Sequence, residues 1–150
     1  MTKHPYSEEN HVQRERLKAL VARLSDADLQ REVGAGWTVA ATLAHVAFWD
    51  QRVLKLLHRF ARQGVGPSPH PADVDAINDA AKALCLALPP RTAAHLAVST
   101  AEELDAELES LSDDLLEELA KAGHPIKVLR AEHRKYHLDE IEQLIARHSS

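Results

Sequence analysis

The stretch His133-Arg134-Lys135-Tyr136-His137-Leu138-Asp139-Glu140-Ile141 decides how this chain reads. Placed on a helical wheel of about 100° per residue, His133 and His137 fall with Ile126, Ile141 and Leu144 on one face. Lys127, Glu132, Lys135, Asp139 and Glu142 fall on the other. Both histidines therefore sit within an apolar stripe. Residues four apart on a helix have Cβ atoms about 5–6 Å apart, so two imidazoles here can converge on one metal ion with bonds of about 2.0–2.1 Å. In a chain with ten histidines the spacing alone is a weak signal. Placement carries more weight, because a buried polar ring without a partner costs about 2–7 kcal/mol, and a metal satisfies two such rings at once.

Outward from this segment the chain is punctuated as helices. The last one is predicted from about Ile126 to Arg147, after Gly123 and Pro125. A first helix is predicted from Ser7, its N-cap, to Leu24, with Leu17, Leu20, Val21 and Leu24 at helical spacing. Residues 25–37 read as a connection with room for one extra turn. A second helix, capped by Thr38, runs from Val39 to Gln63 with Thr42, Val46, Trp49, Val53, Leu57 and Phe60 along its stripe, until Gly64 and the run Gly66-Pro67-Ser68-Pro69-His70-Pro71 break it. A shorter helix follows over 73–86, its buried side read as Val74, Ile77, Ala81, Leu84 and Leu88, with Cys85 a small buried hydrophobe beside Leu84. A third long helix spans 92–111, and Ser112-Asp113 starts another helical piece through Ala120. Few β-branched and aromatic residues support strands. The expectation is a single all-α domain over 1–150, a four-helix bundle with a short extra helix between its second and third helices. Leu24-Ser25-Asp26 recurs as Leu111-Ser112-Asp113, each leading toward a helix with a metal candidate. The repeat suggests two hairpins related by approximate two-fold symmetry, or simply common helix punctuation.

Composition bounds the partners. Hydrophobic residues make up 45% and charged residues 27%, and the net charge is −5, so a basic nucleic-acid face is not expected. The lone Cys85 allows no internal disulfide, which suits a reducing compartment. The N-terminus is polar, and the run Trp37 to Trp49 is too short to span a bilayer. A cytoplasmic protein with no membrane partner is expected. His45 is the natural third ligand, on the flank of the second helix's stripe beside Ala41 and Trp49. The other histidines lie near termini, in the linker, on polar faces or at helix starts.

Two passages carry a resemblance. Gly36-Trp37-Thr38 followed by Leu43-Ala44-His45-Val46-Ala47-Phe48-Trp49 looks like the second-helix signature of the DinB/YfiT-like superfamily. The His133 to Ile141 passage resembles its last-helix His-x-x-x-His motif. The resemblance covers nearly the whole chain. It implies an up-down-down-up four-helix bundle, one divalent metal ion, zinc or nickel, on His45, His133 and His137, and a homodimer formed through helix faces. It also implies a thiol-dependent transferase or isomerase acting on a small molecule through a metal-bound thiolate, with a low-molecular-weight thiol as co-substrate. The chain departs from the commonest pattern at Arg134, where Asp is frequent, and at Tyr136, where His is frequent. Neither change removes a ligand.

Three neutral imidazoles leave a metal its full charge and an open position, the mark of a catalytic rather than a structural site. The nucleophile would be hydroxide for a hydrolase or thiolate for a transferase. A non-catalytic metal- or ligand-binding bundle, or a structural bundle whose histidines pair with carboxylates, are the readings of other classes. Around the metal candidates, Glu140 is a weaker candidate for a base or a ligand-orienting acceptor. Trp49, Arg130 and Tyr136 are candidates for substrate contact, with Arg130 suited to a bidentate hold on a carboxylate.

Overall fold

The computed structural model describes residues 4–66, 73–123 and 126–148. Its helices are α1 (Ser7–Arg23), α2 (Asp26–Leu29), α3 (Val39–Gln63), α4 (Val74–Ala87), α5 (Pro90–Ser110), α6 (Asp113–Lys121) and α7 (Ala131–His148). A two-stranded antiparallel hairpin, β1 (Glu32–Gly34) and β2 (Trp37–Thr38), lies between α2 and α3.

The long helices α1, α3, α5 and α7 form the bundle, and side-chain contacts fix their directions. Arg91, at the start of α5, donates to the Leu24 carbonyl at the end of α1, while the Tyr6 hydroxyl donates to the Leu108 carbonyl near the end of α5. Those two helices are antiparallel. Asn10 meets the start of α7 and Arg16 meets Asp139 and Glu142 further along it, so α1 and α7 are parallel. Along α3, His45 faces His133 and Asp50 faces Arg130, so α3 opposes α7. The topology is up-down-down-up. Parallel α3 and α5 need a connection that returns along the bundle, and α4 lies in it.

The core follows from composition. Ala93, Ala94, Ala97 and Ala101 give α5 a smooth face against Ala40, Leu43, Ala44 and Ala47 of α3, the most extensive helix contact in the bundle. A second cluster joins Tyr6, Val53, Leu54, Leu57, Leu104 and Leu108. Hydroxyl and carboxylate caps start the elements as the sequence suggests. Thr38 accepts from the Ala41 amide and Ser112 from the Leu115 amide, each oxygen satisfying one of the free N–H groups of a first turn. Ser25 and Asp28 form a reciprocal capping box on α2, the extra turn of the connection. Gly64 ends α3 at φ +76°, a conformation glycine takes without steric cost.

Four expectations are corrected. Ser7 is not the cap of α1: it is the first helical residue, its hydroxyl donates to the Glu109 carboxylate, and Tyr6 occupies the cap position without a side-chain bond to the first turn. The last helix starts at Ala131 rather than Ile126. Asn10 reaches across from α1, and its Oδ1 accepts from the Arg130 and Ala131 amides at 2.8 and 2.9 Å. Ile126, Val128 and Leu129 instead pack irregularly on the second cluster. On α4, Leu84 is 73% exposed and Val74 49%, and the buried side runs through Ile77, Ala81 and Cys85. The hairpin was not expected. It turns through Ala35 and Gly36, both at positive φ, as a two-residue hairpin turn requires. The proline-rich break at 67–71 and Pro125 fall outside the described residues. No described helix is long and apolar enough to cross a membrane.

Candidate metal centre

Two elements build the centre. Helix α3 brings His45 to one side, and successive turns of α7 bring His133 and His137 to the other. One ligating nitrogen from each ring can be chosen so that all lie within 4.8 Å of one another. The Nε2 atoms of His45 and His133 are 3.2 Å apart. Two donors on a tetrahedral ion with bonds of about 2.0–2.1 Å are separated by roughly 3.3 Å, so this pair already stands at ligand spacing. The three rings pack edge to face, with centroids 4.7 to 5.1 Å apart.

Burial sets the protonation of the rings. It is the leading cause that lowers the pKa of His45 to about 4, of His133 to about 3 and of His137 to about 4. The neighbouring imidazoles lower His45 and His133 further, and Arg130 and Arg134 add to the effect on His133. Near neutral pH all three are neutral, the form a metal needs. His137 is also oriented: its Nδ1 lies 2.7 Å from Glu140 Oε1, which leaves Nε2 available as the ligating nitrogen. Glu140 is itself pushed above the usual carboxylate range by burial. His133 has a protein partner for Nε2 only. Among the described residues its Nδ1 is the single buried side-chain polar atom without a hydrogen bond. A neutral ring with one nitrogen unpaired and the other shared with a second neutral ring is poorly satisfied, and a cation among the three nitrogens is a stronger partner than His45 alone. The donor set therefore fits a divalent ion.

The rings open onto a cavity of about 970 Å³. Its wall includes Trp37, Thr42, Trp49, Arg52, Val53, Arg130, Tyr136 and Glu140, with Val33 to Ala35 from the hairpin and Val74 and Asn78 from α4. The hairpin is held in place by Lys82 of α4, whose Nζ donates to the Ala35 carbonyl at 2.6 Å and lies over the Trp37 ring. Trp37 in turn packs edge-on against His45. Trp49 donates its indole N–H to Asn78 Oδ1 at 2.8 Å, tying α3 to α4. Tyr136 is 64% exposed and packs edge-on against His137 at the cavity mouth.

Beneath the histidines lies a charged layer that the sequence reading missed. Asp50 accepts from Arg130 Nε at 2.8 Å and from Arg134 Nε at 3.1 Å. Arg134, fully buried, makes a bidentate pair with Asp105, which also accepts from Arg14. The layer links all four long helices. Its signal was present in the sequence: Asp50 lies between Val46 and Val53, and Asp105 between Ala101 and Leu108, on stripes that are otherwise apolar. Arg130 falls inside the last helix expected from Ile126 to Arg147, and this too is corrected. It precedes the helix, and its guanidinium is anchored on Asp50.

A family model described as the DinB superfamily matches residues 9–148. Comparison with curated proteins and with solved structures yields no match. With the up-down-down-up bundle and three histidines placed by its second and last long helices, the match over nearly the whole length establishes that this chain belongs to the DinB superfamily.

Proposed function

We propose that His45, His133 and His137 hold one divalent metal ion, zinc or nickel, and that the protein is a transferase or isomerase with a low-molecular-weight thiol as co-substrate. One observation supports this above the others: three neutral imidazoles, with ligating atoms within 4.8 Å of each other, open onto a cavity large enough for two small reactants. An ion held by three neutral ligands keeps its double positive charge and an open position, and so acidifies a thiol that reaches it.

The chain's own residues do the rest. Glu140 accepts a hydrogen bond from the Nδ1–H of His137 and fixes that ring's orientation. This makes Glu140 a positioning residue rather than a free base. Trp37 and Tyr136 flank His45 and His137 and limit how the rings turn. The apolar surfaces of Val33, Trp49 and Val53 give a reactant a dry wall to lie on. The choice of thiol chemistry over hydrolysis rests on the family resemblance.

The test is thiol conjugation to a panel of electrophiles by protein purified without an affinity tag, with and without zinc or nickel. The expected result is a rate that needs the metal and is lost in His137→Ala. Hydrolysis of esters or amides with no thiol consumed would replace the transferase reading with a hydrolase.

A further inference from the structure

The cavity beside the histidines is unevenly charged. Arg52, Lys127 and Arg130 line it, against the carboxylates of Asp79 and Glu140. Glu140 is engaged by His137. Neither Arg52 nor Lys127 forms an ion pair among the described residues, and Arg52 lies over the face of Trp49, 5.7 Å from the ring centroid.

Arg130 is the informative member. Three guanidiniums, those of Arg14, Arg130 and Arg134, share two carboxylates, those of Asp50 and Asp105, so the layer is one negative charge short. Of the three arginines only Arg130 lines the cavity. Its side chain is 7% exposed. Nε is spent on Asp50 and Nη1 reaches the Lys127 carbonyl at 3.5 Å, but Nη2 has no hydrogen-bond partner among the described residues. A guanidinium nitrogen that opens into a cavity without a protein acceptor is a place for an acceptor from outside.

We infer that this cavity takes a small substrate with an apolar body and a carboxylate, and that Arg130 and Arg52 hold the carboxylate at the end away from the histidines. The inference rests on the reading of the three histidines as a metal-dependent reaction centre and adds the substrate class. Spacing along the helices limits the length of that substrate. Arg130 immediately precedes α7, three positions before His133, and Arg52 is seven residues, about 10 Å, along α3 from His45. A body of up to roughly 10 Å between carboxylate and reacting atom matches that separation. Asp50 fixes Arg130 in place, so the site is organised before the ligand arrives.

The test compares phenylbutyrate with its neutral amide, followed by the fluorescence of Trp37 and Trp49 and by calorimetry on the full chain, both zinc-loaded and stripped of metal. The acid is expected to bind about tenfold or more tighter than the amide in both states. Arg52→Gln should cut that preference to below about threefold, and Arg52→Lys should keep most of it. Equal binding of acid and amide, or no saturable binding of either, would overturn the proposal. So would a preference seen only with zinc and untouched by Arg52→Gln, because the metal would then be holding the carboxylate. A preference that persists in a protein taking up no zinc supports the anion site and removes the metal centre, so the two readings fail separately.

Discussion

His137 shows how one residue serves two partners. Its Nδ1 is held by Glu140 at 2.7 Å, which leaves Nε2 as the nitrogen available to a metal. Replacing Glu140 with glutamine removes the charge that makes the ring a better donor. Metal affinity in Glu140→Gln should fall about 10- to 100-fold, measured by competition with a chromophoric chelator. The rings also set a pH dependence. Unfolded histidine titrates near about 6.5, whereas burial holds these three at about 4, 3 and 4 in the folded chain. Between those values the unfolded state binds more protons, so stability is present above about 6.5 and is lost as pH falls toward 3. Glu140, raised by burial, acts in the opposite direction, but it is one group against three. Urea midpoints of metal-free protein should therefore drop steadily from neutral pH into this acid window. At this scale the sequence is legible where a polar residue interrupts an apolar stripe, as for His133 and His137. His45 sits off-centre on its stripe, and its part in the centre is legible mainly through the family motif. Arg134 is hidden because its partners, Asp50 and Asp105, are contributed by other helices.

At the scale of elements, what local chemistry dictates is readable and what the tertiary structure dictates is not. Thr38 and Ser112 cap their helices with their own hydroxyls, so both starts can be read from a few residues. The start of α7 cannot, because its capping oxygen belongs to Asn10, more than a hundred positions away. The face of α4 is misread for a related reason. Its stripe of Val74 and Leu84 has the right period, but α4 packs by its Cys85 side and leaves those two in solvent. Thr38 also joins the hairpin to the helix that carries His45. Thr38→Ala should lower stability by about 1 kcal/mol, read as a shift in the thermal midpoint. A change within error would mean that the hairpin, rather than the cap, defines this helix start.

Across the whole molecule, the ion-pair layer of Arg14, Asp50, Asp105, Arg130 and Arg134, with Asn10 holding the start of α7, sets the four helices in register beneath the histidines. Buried charges add little net stability when paired, but losing one partner strands the other. Asp50→Asn removes the charge and one of the two acceptor oxygens, so Arg130 and Arg134 can no longer both be held. It should cost about 3–5 kcal/mol, measured by urea unfolding. The same layer joins fold to site, since it fixes the segment that carries both Arg130 and His133. The central claim, that the three histidines are a metal centre, is tested most directly by metal content and melting of protein purified without an affinity tag. About one zinc or nickel ion per chain is expected, with a thermal midpoint that falls on chelation, returns on adding the ion, and no longer responds in His133→Ala. A preparation without metal whose midpoint ignores both zinc and nickel would contradict it.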